Sequence, residues 1–216
     1  MISSRPLNLL PRSALRCTSP VDHPGWNYRP LLGHVQRLRF RIILDLLSGM
    51  RFGRLLEIGY GSGVFMPELA LRCEALHGAD PHDMADDVSA ALARHDVKAT
   101  LTRAGVESLP YETGFFDCVV SVSALEYVLD IDAACREIRR VLAPGGTLAV
   151  VTPGATPLWN LALRVATKEG PGQYADRREK LQPALREHFH LTREIRAPHF
   201  GGTALRLYTG LRLRRD

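Results

Sequence analysis

The residues with the clearest chemical meaning form a glycine-rich segment, LLEIGYGSG, which runs from Leu55 to Gly63. Its glycines, at positions 59, 61 and 63, follow a short apolar stretch and precede a predicted helix. Such a turn lets a ligand approach the backbone closely, beside the positive end of a helix. A dinucleotide fingerprint would need glycine in place of Val64, and no Gly-Lys-Ser/Thr sequence follows for a phosphate loop. The segment therefore predicts a ligand-binding turn of another kind.

A carboxylate at the end of the next predicted strand adds to this pattern. Asp80 stands 17 residues after Gly63. At that place in a parallel sheet, a carboxylate can accept hydrogen bonds from both ribose hydroxyls of a nucleoside. Taken alone, Asp80 could equally cap a helix or lie in a loop. Combined with the glycine-rich turn, it favours the ribose role.

Strands and helices alternate through the central part of the chain, and this pattern positions both features. The predicted strands are 54–58, 75–80, 98–104, 117–122 and 147–152, and the predicted helices are 64–72, 84–94 and 132–142, the last capped by Asp130. Alternation of this kind predicts parallel βαβ units, with ligands bound outside the carboxyl ends of the strands. After Pro153, residues 156–188 are predicted to be helical and irregular, and 190–196 and 203–213 to form two further strands.

The N-terminal quarter of the chain contains a basic amphipathic helix, predicted over residues 34–47. Its apolar residues recur at helical spacing, and Arg37, Arg39 and Arg41 fall on other faces. We interpret it as a helix that packs on the core with solvated arginines, although such a helix can also lie on a membrane. Residues 1–20 are rich in Arg, Ser and Pro and are expected to form a loosely ordered arm, with a transit peptide as the alternative.

Composition limits the class of protein. The chain has 216 residues, 45% of them hydrophobic, which is enough for one folded domain. It contains no apolar stretch long enough for a membrane span. Its four cysteines form no C-x-x-C pair. We therefore predict free thiols, no metal site and a cytoplasmic location. Residues 1–50 and 161–216 carry net charges of +5 and +6, whereas residues 51–160 carry −6.

In order and in spacing, four segments resemble the class I S-adenosylmethionine-dependent methyltransferases of the small, single-domain, type 11-like kind. They are LLEIGYGSG, LHGADPHDM, GVESLPYETGFFDCVVSVSALEYV and ACREIRRVLAPGGTLAVVTP, and they lie between residues 53 and 153. The resemblance implies an α/β fold, with a doubly wound, Rossmann-like sheet of seven mostly parallel strands and helices on both faces. It also implies S-adenosyl-L-methionine as the cofactor.

The resemblance assigns roles to residues that match the motifs. Glu57 would fix the ammonium group of the cofactor, and Asp80 would bind the ribose hydroxyls. The remaining cofactor-binding residues implied in this way are Gly59, Tyr60, Gly61, Gly63, Pro81, Val106, Glu107 and Ser121, with His82 beside the adenine and Ser123 next to Ser121 below the sulfonium. Two positions depart from the family. Gly105 replaces a frequent acid, and Tyr127 replaces a frequent histidine that follows the Leu-Glu pair.

The sequence does not single out a catalytic base. Weak candidates near the expected site are Tyr28, His34, Tyr60, Glu126 and Tyr127. Each also has an ordinary structural interpretation, and a base is needed only if the acceptor starts protonated. Trp26 and Tyr28 could form an aromatic lip over the pocket, or could simply anchor the N-terminal segment. We therefore predict in-line methyl transfer dominated by positioning.

The organisation of the chain suggests where the acceptor binds. Residues 51–155 would form the cofactor-binding core, and residues 1–50 and 156–188 would shape the acceptor side. Residues 156–216 as a whole would supply a lid-like helical segment and the last two strands of the same domain. The leading hypothesis is O-, N- or C-methylation of a small molecule, which the basic ends suggest is anionic. The alternatives are a lipid or cell-envelope precursor met at a membrane surface, and a noncatalytic S-adenosylmethionine-binding module. Nucleic acid is disfavoured because strand four is followed by no Asn-Pro-Pro-Tyr-like motif, and the oligomeric state is left open.

Overall fold

The computed structural model describes residues 5–20, 22–154, 175–198 and 206–216. Helices and strands alternate along these residues, as the sequence predicts. In chain order they are α1 (Leu32–Leu46), β1 (Phe52–Ile58), α2 (Met66–Ala70), β2 (Cys73–Asp80), α3 (Ala85–Ala93), β3 (Thr100–Arg103), β4 (Phe116–Val122), α4 (Ile131–Val141), β5 (Leu142–Pro153), α5 (Ala175–His188), β6 (His190–Ala197) and β7 (Tyr208–Arg214). The carboxylate of Asp130 accepts a hydrogen bond from the Ala133 N–H and caps α4 as predicted.

The strands form one sheet in the order β3-β2-β1-β4-β5-β7-β6. Strands β1 to β5 pair in parallel, and β7 is inserted antiparallel between β5 and β6. The chain moves outwards from β1 in both directions, so the winding reverses between β1 and β4 and leaves a crevice at their carboxyl ends. The predicted doubly wound, mostly parallel sheet of seven strands is confirmed.

Both faces of the sheet are covered by helices, which explains why the central strands are apolar at successive positions. Leu55 and Val120 belong to the core shared with α1, α2 and α3, whereas their neighbours Leu56 and Val119 belong to the core shared with α4 and α5. All four are fully buried. Burying a side chain of this size contributes roughly 1.5–3 kcal/mol, so the two cores hold the sheet edge that carries the turn in place.

Some element boundaries differ from the predicted ones for local reasons. Helix α2 is shorter than the predicted 64–72, because Gly63 turns in the left-handed region and Pro67 lies in the first turn. Strand β5 begins before the predicted 147, because Leu142 already pairs with Phe116 ahead of a register irregularity. The predicted helical segment and last strand are described only as α5 and β7, since residues 155–174 and 199–205 lie outside the described residues.

The described N-terminal residues pack on the core instead of forming the expected loose arm. Leu10 is fully buried and donates its N–H to the carbonyl of Val64, 3.2 Å away. The buried carboxylate of Glu68 accepts hydrogen bonds from the Asn8 N–H and from the Arg5 guanidinium. A buried carboxylate needs such partners, so this contact fixes the segment across α2.

Several arginines from the C-terminal basic segment, residues 161–216, form contacts that join one helix or strand to another. Arg193 pairs with Asp45 at 3.3 Å, and Arg212 donates to the carbonyl of Leu46 at 3.1 Å, which ties β6 and β7 to α1. Arg186 pairs with Glu194 at 3.1 Å. In the described part of the chain, no helix has the length and apolar character needed to cross a membrane.

Candidate active site

A cavity of about 870 Å³ lies at the carboxyl ends of β1, β2 and β4. Its walls come from the glycine-rich turn, the segments that follow β2, β3 and β4, one face of α1, and the N-terminal segment. This is the crevice where the strand order reverses, which is where open α/β sheets bind their ligands. The volume lies in the upper part of the roughly 300–1,000 Å³ typical of small-molecule sites.

The glycine-rich turn and Asp80 form a single hydrogen-bonded unit in the wall of this cavity. Gly59, Gly61 and Gly63 have φ angles of 73°, 50° and 72°, a region that favours glycine. One oxygen of Asp80 accepts the Gly61 N–H at 2.9 Å, and the other accepts the His82 N–H at 3.3 Å. A carboxylate has about four acceptor positions, so Asp80 retains capacity to bind ligand hydroxyls.

His82 braces the same turn, a role that the sequence analysis missed. Its Nδ1 accepts the Met84 N–H at 3.1 Å, which assigns the ring proton to Nε2. Nε2 then donates to the carbonyl of Gly61 at 3.1 Å. The ring also meets Tyr60 edge-on, with centroids 4.9 Å apart. The loop after β2 therefore holds the turn by both its backbone and a side chain.

Glu57 is the penultimate residue of β1, lines the cavity and is 3% exposed. Its Oε2 has no hydrogen-bond partner among the described residues. Burial and, to a smaller extent, the charge of Asp80 raise the pKa of this carboxyl to about 8, while the charge of Arg39 opposes the shift. A desolvated acid in this position favours a cationic ligand group, because pairing restores what burial removes.

We expect the ligand-free protein to lose stability as the pH rises from about 4.5 to about 8, through Glu57. Over this range the folded state keeps a proton on Glu57 that the unfolded chain releases, so raising the pH favours unfolding. Denaturant titrations at several pH values should show this slope in the wild type. Glu57→Gln, which cannot ionise, should flatten it; parallel profiles for the two proteins would contradict the assignment.

Tyr60 packs as a wall of the cavity. Gly78 makes room for it, since a Cβ on Gly78 would lie 2.7 Å from Tyr60 Cδ1. The side chain is 3% exposed, and burial raises the pKa of its phenol well above the usual range. The hydroxyl therefore stays protonated at neutral pH.

The floor beyond β4 carries the predicted acceptor-side residues. Ser123 lines the cavity with φ 55°, an uncommon conformation for a residue other than glycine and one often found at functional sites. Glu126 and Tyr127 also line it, the first 1% and the second 37% exposed. Ser121 is fully buried below this floor and does not reach the lining.

The predicted adenine-side residues line the part of the cavity formed by the segments that follow β2 and β3. Pro81, Val106 and Glu107 all contribute to the lining. The loop that carries Val106 and Glu107 is held by α4, where Arg140 donates to the carbonyl of Leu109 at 3.0 Å and pairs with Glu137 at 2.7 Å. This end of the cavity is therefore fixed by contacts that the motifs alone did not reveal.

Other predicted site residues lie away from the lining. The hydroxyl of Tyr28 donates to the carbonyl of Leu10, and the exposed ring of His34 lies 2.7 Å from the carbonyl of Pro30. A Cβ on Gly63 would lie 3.0 Å from Val88, so Gly63 permits the packing of α3 against the turn. The structure thus gives Tyr28, His34 and Gly63 structural contacts outside the cavity lining.

Sequence reasoning missed a group of lining residues from outside the recognised motifs. Gln36 lies one helical turn before the neighbouring residues Arg39 and Phe40 on α1, and all three line the cavity. Their spacing was a readable signal, but the sequence analysis placed Arg39 in solvent. Tyr208, 2% exposed, reaches the cavity because β7 starts beside Pro153 at the end of β5. No local pattern predicts that pairing.

The strand order and the site at its reversal point define the class I S-adenosylmethionine-dependent methyltransferase fold. Residues 56–150 match the family model described as a methyltransferase domain. The match covers 95 of the 216 residues, less than half of the chain, and the predicted resemblance to this class is confirmed. The cofactor of this class is S-adenosylmethionine.

Curated relatives share the same central region. The chain is 34% identical over 124 residues to the malonyl-[acyl-carrier protein] O-methyltransferase of Geobacter sulfurreducens, covering 53% of this chain and 45% of that protein. It is 31% identical over 130 residues to the ubiquinone/menaquinone biosynthesis C-methyltransferase UbiE of Vibrio cholerae, covering 55% and 48%. The chain thus spans about half the length of the curated relatives it matches.

Solved structures support the fold over nearly the whole chain. A geranyl diphosphate methyltransferase in complex with S-adenosylmethionine has a TM-score of 0.68 at 14% identity, covering 94% of this chain and 96% of that one. The N-methyltransferase NodS from Bradyrhizobium japonicum has a TM-score of 0.62 at 21% identity, covering 85% and 97%. At these identities the likeness establishes the fold alone.

The residues of the cavity fit the cofactor of this class. The buried acid Glu57 suits an ammonium group, and the carboxylate of Asp80 suits ribose hydroxyls. The backbone of Gly61, without a Cβ, leaves room for close approach between them. One buried acid, one acceptor for hydroxyls and an open backbone are what the ammonium group and the ribose of this cofactor require.

Proposed function

We propose that the chain is an S-adenosylmethionine-dependent methyltransferase that acts on a small-molecule acceptor. The observation that carries the proposal is the shared cavity. Glu57, the glycine-rich turn and Asp80 form one end of it, and the lining continues without interruption to Glu126 and Tyr208. Cofactor and acceptor can therefore bind side by side, as a direct methyl transfer requires.

Methyl transfer requires little of the protein beyond positioning the cofactor and the acceptor. The cofactor supplies a methyl group already activated by its sulfonium charge. The buried ring of Tyr60 limits the access of water to the cavity wall, and the turn orients whatever binds against it. Glu126 is the lining acid on the acceptor side, and it could receive a proton from an acceptor that begins protonated.

The acceptor end of the cavity favours a molecule with an apolar body. Trp26, Phe40, Tyr127, Leu129 and Tyr208 all line the cavity. Aromatic walls of this kind bind flat or apolar groups, and the few polar groups among them set orientation. The relatives are named for acceptors as different as malonyl-[acyl-carrier protein] and ubiquinone/menaquinone. The residues that line the cavity are therefore a better guide to the acceptor of this chain than the names of its relatives.

A screen for release of S-adenosylhomocysteine tests this proposal. The purified chain should turn over one or more apolar-bodied acceptors, with little release when only polar acceptors are supplied. Glu126→Gln should lower turnover by roughly 10²–10⁴-fold if that acid accepts a proton, and leave it unchanged if positioning suffices. Binding of S-adenosylmethionine without turnover of any acceptor would instead support a noncatalytic module.

A membrane-associated acceptor is the second candidate, and two exposed leucines favour it. Leu31 is 87% exposed and Leu129, in the cavity lining, is 79% exposed. The flanking basic segments could add attraction to an anionic surface, although several of their arginines are engaged inside the fold. The candidate predicts cosedimentation with anionic vesicles, weakened by salt and reduced in a Leu31→Asn/Leu129→Asn double variant. No binding at low ionic strength would eliminate it.

A further inference from the structure

Four consecutive residues, 126–129, form a wall of the cavity that runs from its interior to its mouth. All four line the cavity. Their exposure differs widely: Glu126 is 1% exposed, Tyr127 37% and Leu129 79%. Because the interior of a cavity is buried and its mouth is open to solvent, Glu126 marks the inner end of this wall and Leu129 its outer end. The two ends therefore offer a bound acceptor different environments.

The inner end of the wall carries negative charge. Burial raises the pKa of the Tyr208 phenol, the charge of Arg39 opposes this shift, and the charge of Glu126 adds to it, so the Glu126 carboxylate acts on its buried neighbour. Arg39 also lowers the pKa of Glu57 and of Asp22, so its charge is already shared among several acids. A further negative charge is disfavoured at this end, whereas a group that donates a hydrogen bond or a proton suits it.

A cation lies beside the outer part of the wall. Arg177, in the first turn of α5, donates from Nη1 to the carbonyl of Tyr127 at 3.2 Å. Arg177 is half-buried and lies just outside the cavity lining, so its guanidinium is at the rim. Among the residues that the structure describes, no carboxylate lies within 4.0 Å of it. The acid next to Leu129 in the chain, Asp130, is engaged with the Ala133 N–H as the cap of α4.

Other arginines of the C-terminal basic segment are engaged inside the fold. Arg186 and Arg193 pair with Glu194 and Asp45, and Arg212 donates to a backbone carbonyl of α1. The net charge of the segment is therefore a poor guide to the acceptor. Arg177 differs from these three because it lies at the mouth of the cavity and a guanidinium has five N–H donors, of which the contact with Tyr127 uses one.

We propose that Arg177 selects acceptors that carry an ionised acid group at the end opposite to the atom that is methylated. This rests on the proposed function and deepens it, since the acceptor class becomes that of amphiphilic acids. The apolar body lies along Tyr127, the acid group lies at the rim against Arg177, and the methylated atom points towards Glu126. The reverse orientation places two negative charges together. Arg177 determines specificity and does not touch the reacting atoms.

Two fluorescent probes that differ only in an acid group test this proposal. 8-Anilinonaphthalene-1-sulfonate and N-phenyl-1-naphthylamine share one aromatic body, and only the first carries a sulfonate. The titrations use protein saturated with S-adenosylhomocysteine, so that the cofactor end is filled and the probes are left the acceptor part of the cavity. The two probes should displace each other. Raising the ionic strength should weaken the sulfonate more than the neutral probe, because salt screens partly exposed charges.

Arg177→Gln removes the charge but keeps an amide that can donate to the carbonyl of Tyr127. It should weaken sulfonate binding by roughly 2- to 5-fold, the value of a partly exposed ion pair, and leave the neutral probe unchanged. Arg177→Lys should retain most of the sulfonate affinity, because it keeps the charge. Arg186→Ala is the matched control: it removes the same charge from the same helix, where Arg186 pairs with Glu194 outside the cavity lining. It should leave both affinities unchanged.

The inference is overturned if Arg177→Gln leaves the sulfonate affinity unchanged, if it weakens both probes equally, or if Arg186→Ala has the same effect. It is also overturned if the probes do not bind or do not displace each other. In all these cases the proposed function stands, because the wild type still binds S-adenosylhomocysteine. If calorimetry shows that the wild type does not bind S-adenosylhomocysteine, the proposed function fails and this inference with it.

Discussion

Asp80→Ala is expected to weaken the binding of S-adenosylhomocysteine by roughly 10- to 150-fold, corresponding to about 1.5–3 kcal/mol. The substitution removes the carboxylate predicted to accept hydrogen bonds from the ribose hydroxyls. It also removes the acceptor of the Gly61 N–H, 2.9 Å from Asp80, so the turn loses a brace at the same time. Isothermal titration calorimetry measures the loss directly.

Two controls separate the contact from charge and from fold. Asp87→Ala removes the same charge from an exposed position on α3, beside the same loop, and should leave the affinity unchanged. Asp80→Asn keeps an accepting oxygen and should lose less affinity than Asp80→Ala. An Asp80→Ala protein that is folded by circular dichroism and binds as tightly as the wild type would remove the ribose assignment.

Gly59→Ala is expected to destabilise the protein by about 2–5 kcal/mol and to lower its Tm by roughly 5–15 °C. The new Cβ would lie 2.3 Å from the Cβ of Ala124, far inside van der Waals contact, and the φ of Gly59 is 73°. Relief would require the turn or the cavity floor to move. Cofactor binding should therefore weaken together with stability.

Gly49→Ala provides the control that separates strain from collision. Gly49 has nearly the same φ, 75°, but an added Cβ there meets nothing within 4 Å. Its variant should cost only the left-handed conformation, about 1–2 kcal/mol. Equal destabilisation at the two glycines, measured by denaturant unfolding, would show that the turn does not press against Ala124.

Local signals were sufficient wherever function depends on short stretches of chain. The glycine spacing at 59, 61 and 63, followed by Asp80, predicted the turn and its carboxylate, and the structure joins them through the hydrogen bond to Gly61. Apolar runs such as those around Leu55 and Val120 predicted buried strands, because a strand covered on both faces must be apolar throughout.

The wrong or incomplete predictions involved residues whose environment is made by distant parts of the chain. Tyr28 and His34 were placed near the site by chain position, yet their hydrogen bonds go to backbone carbonyls outside the cavity lining. Arg39 was placed in solvent, although α1 turns it into the cavity. The spacing of residues along a helix gives the angle between their side chains. It does not show which face of the helix packs on the sheet when more than one face carries polar residues.

The sequence by itself therefore determined the class of fold through its periodicity. Its motifs, through their resemblance to a known family, indicated the cofactor and the turn predicted to bind it. Only the tertiary structure decided what completes the cavity. Tyr208 arrives there because β7 pairs antiparallel beside β5, and Asp22 because the N-terminal segment crosses α2. Both placements depend on strand pairing and on the burial of apolar side chains that are far apart in the chain. The free energy of these contacts cannot be read from a local stretch of sequence.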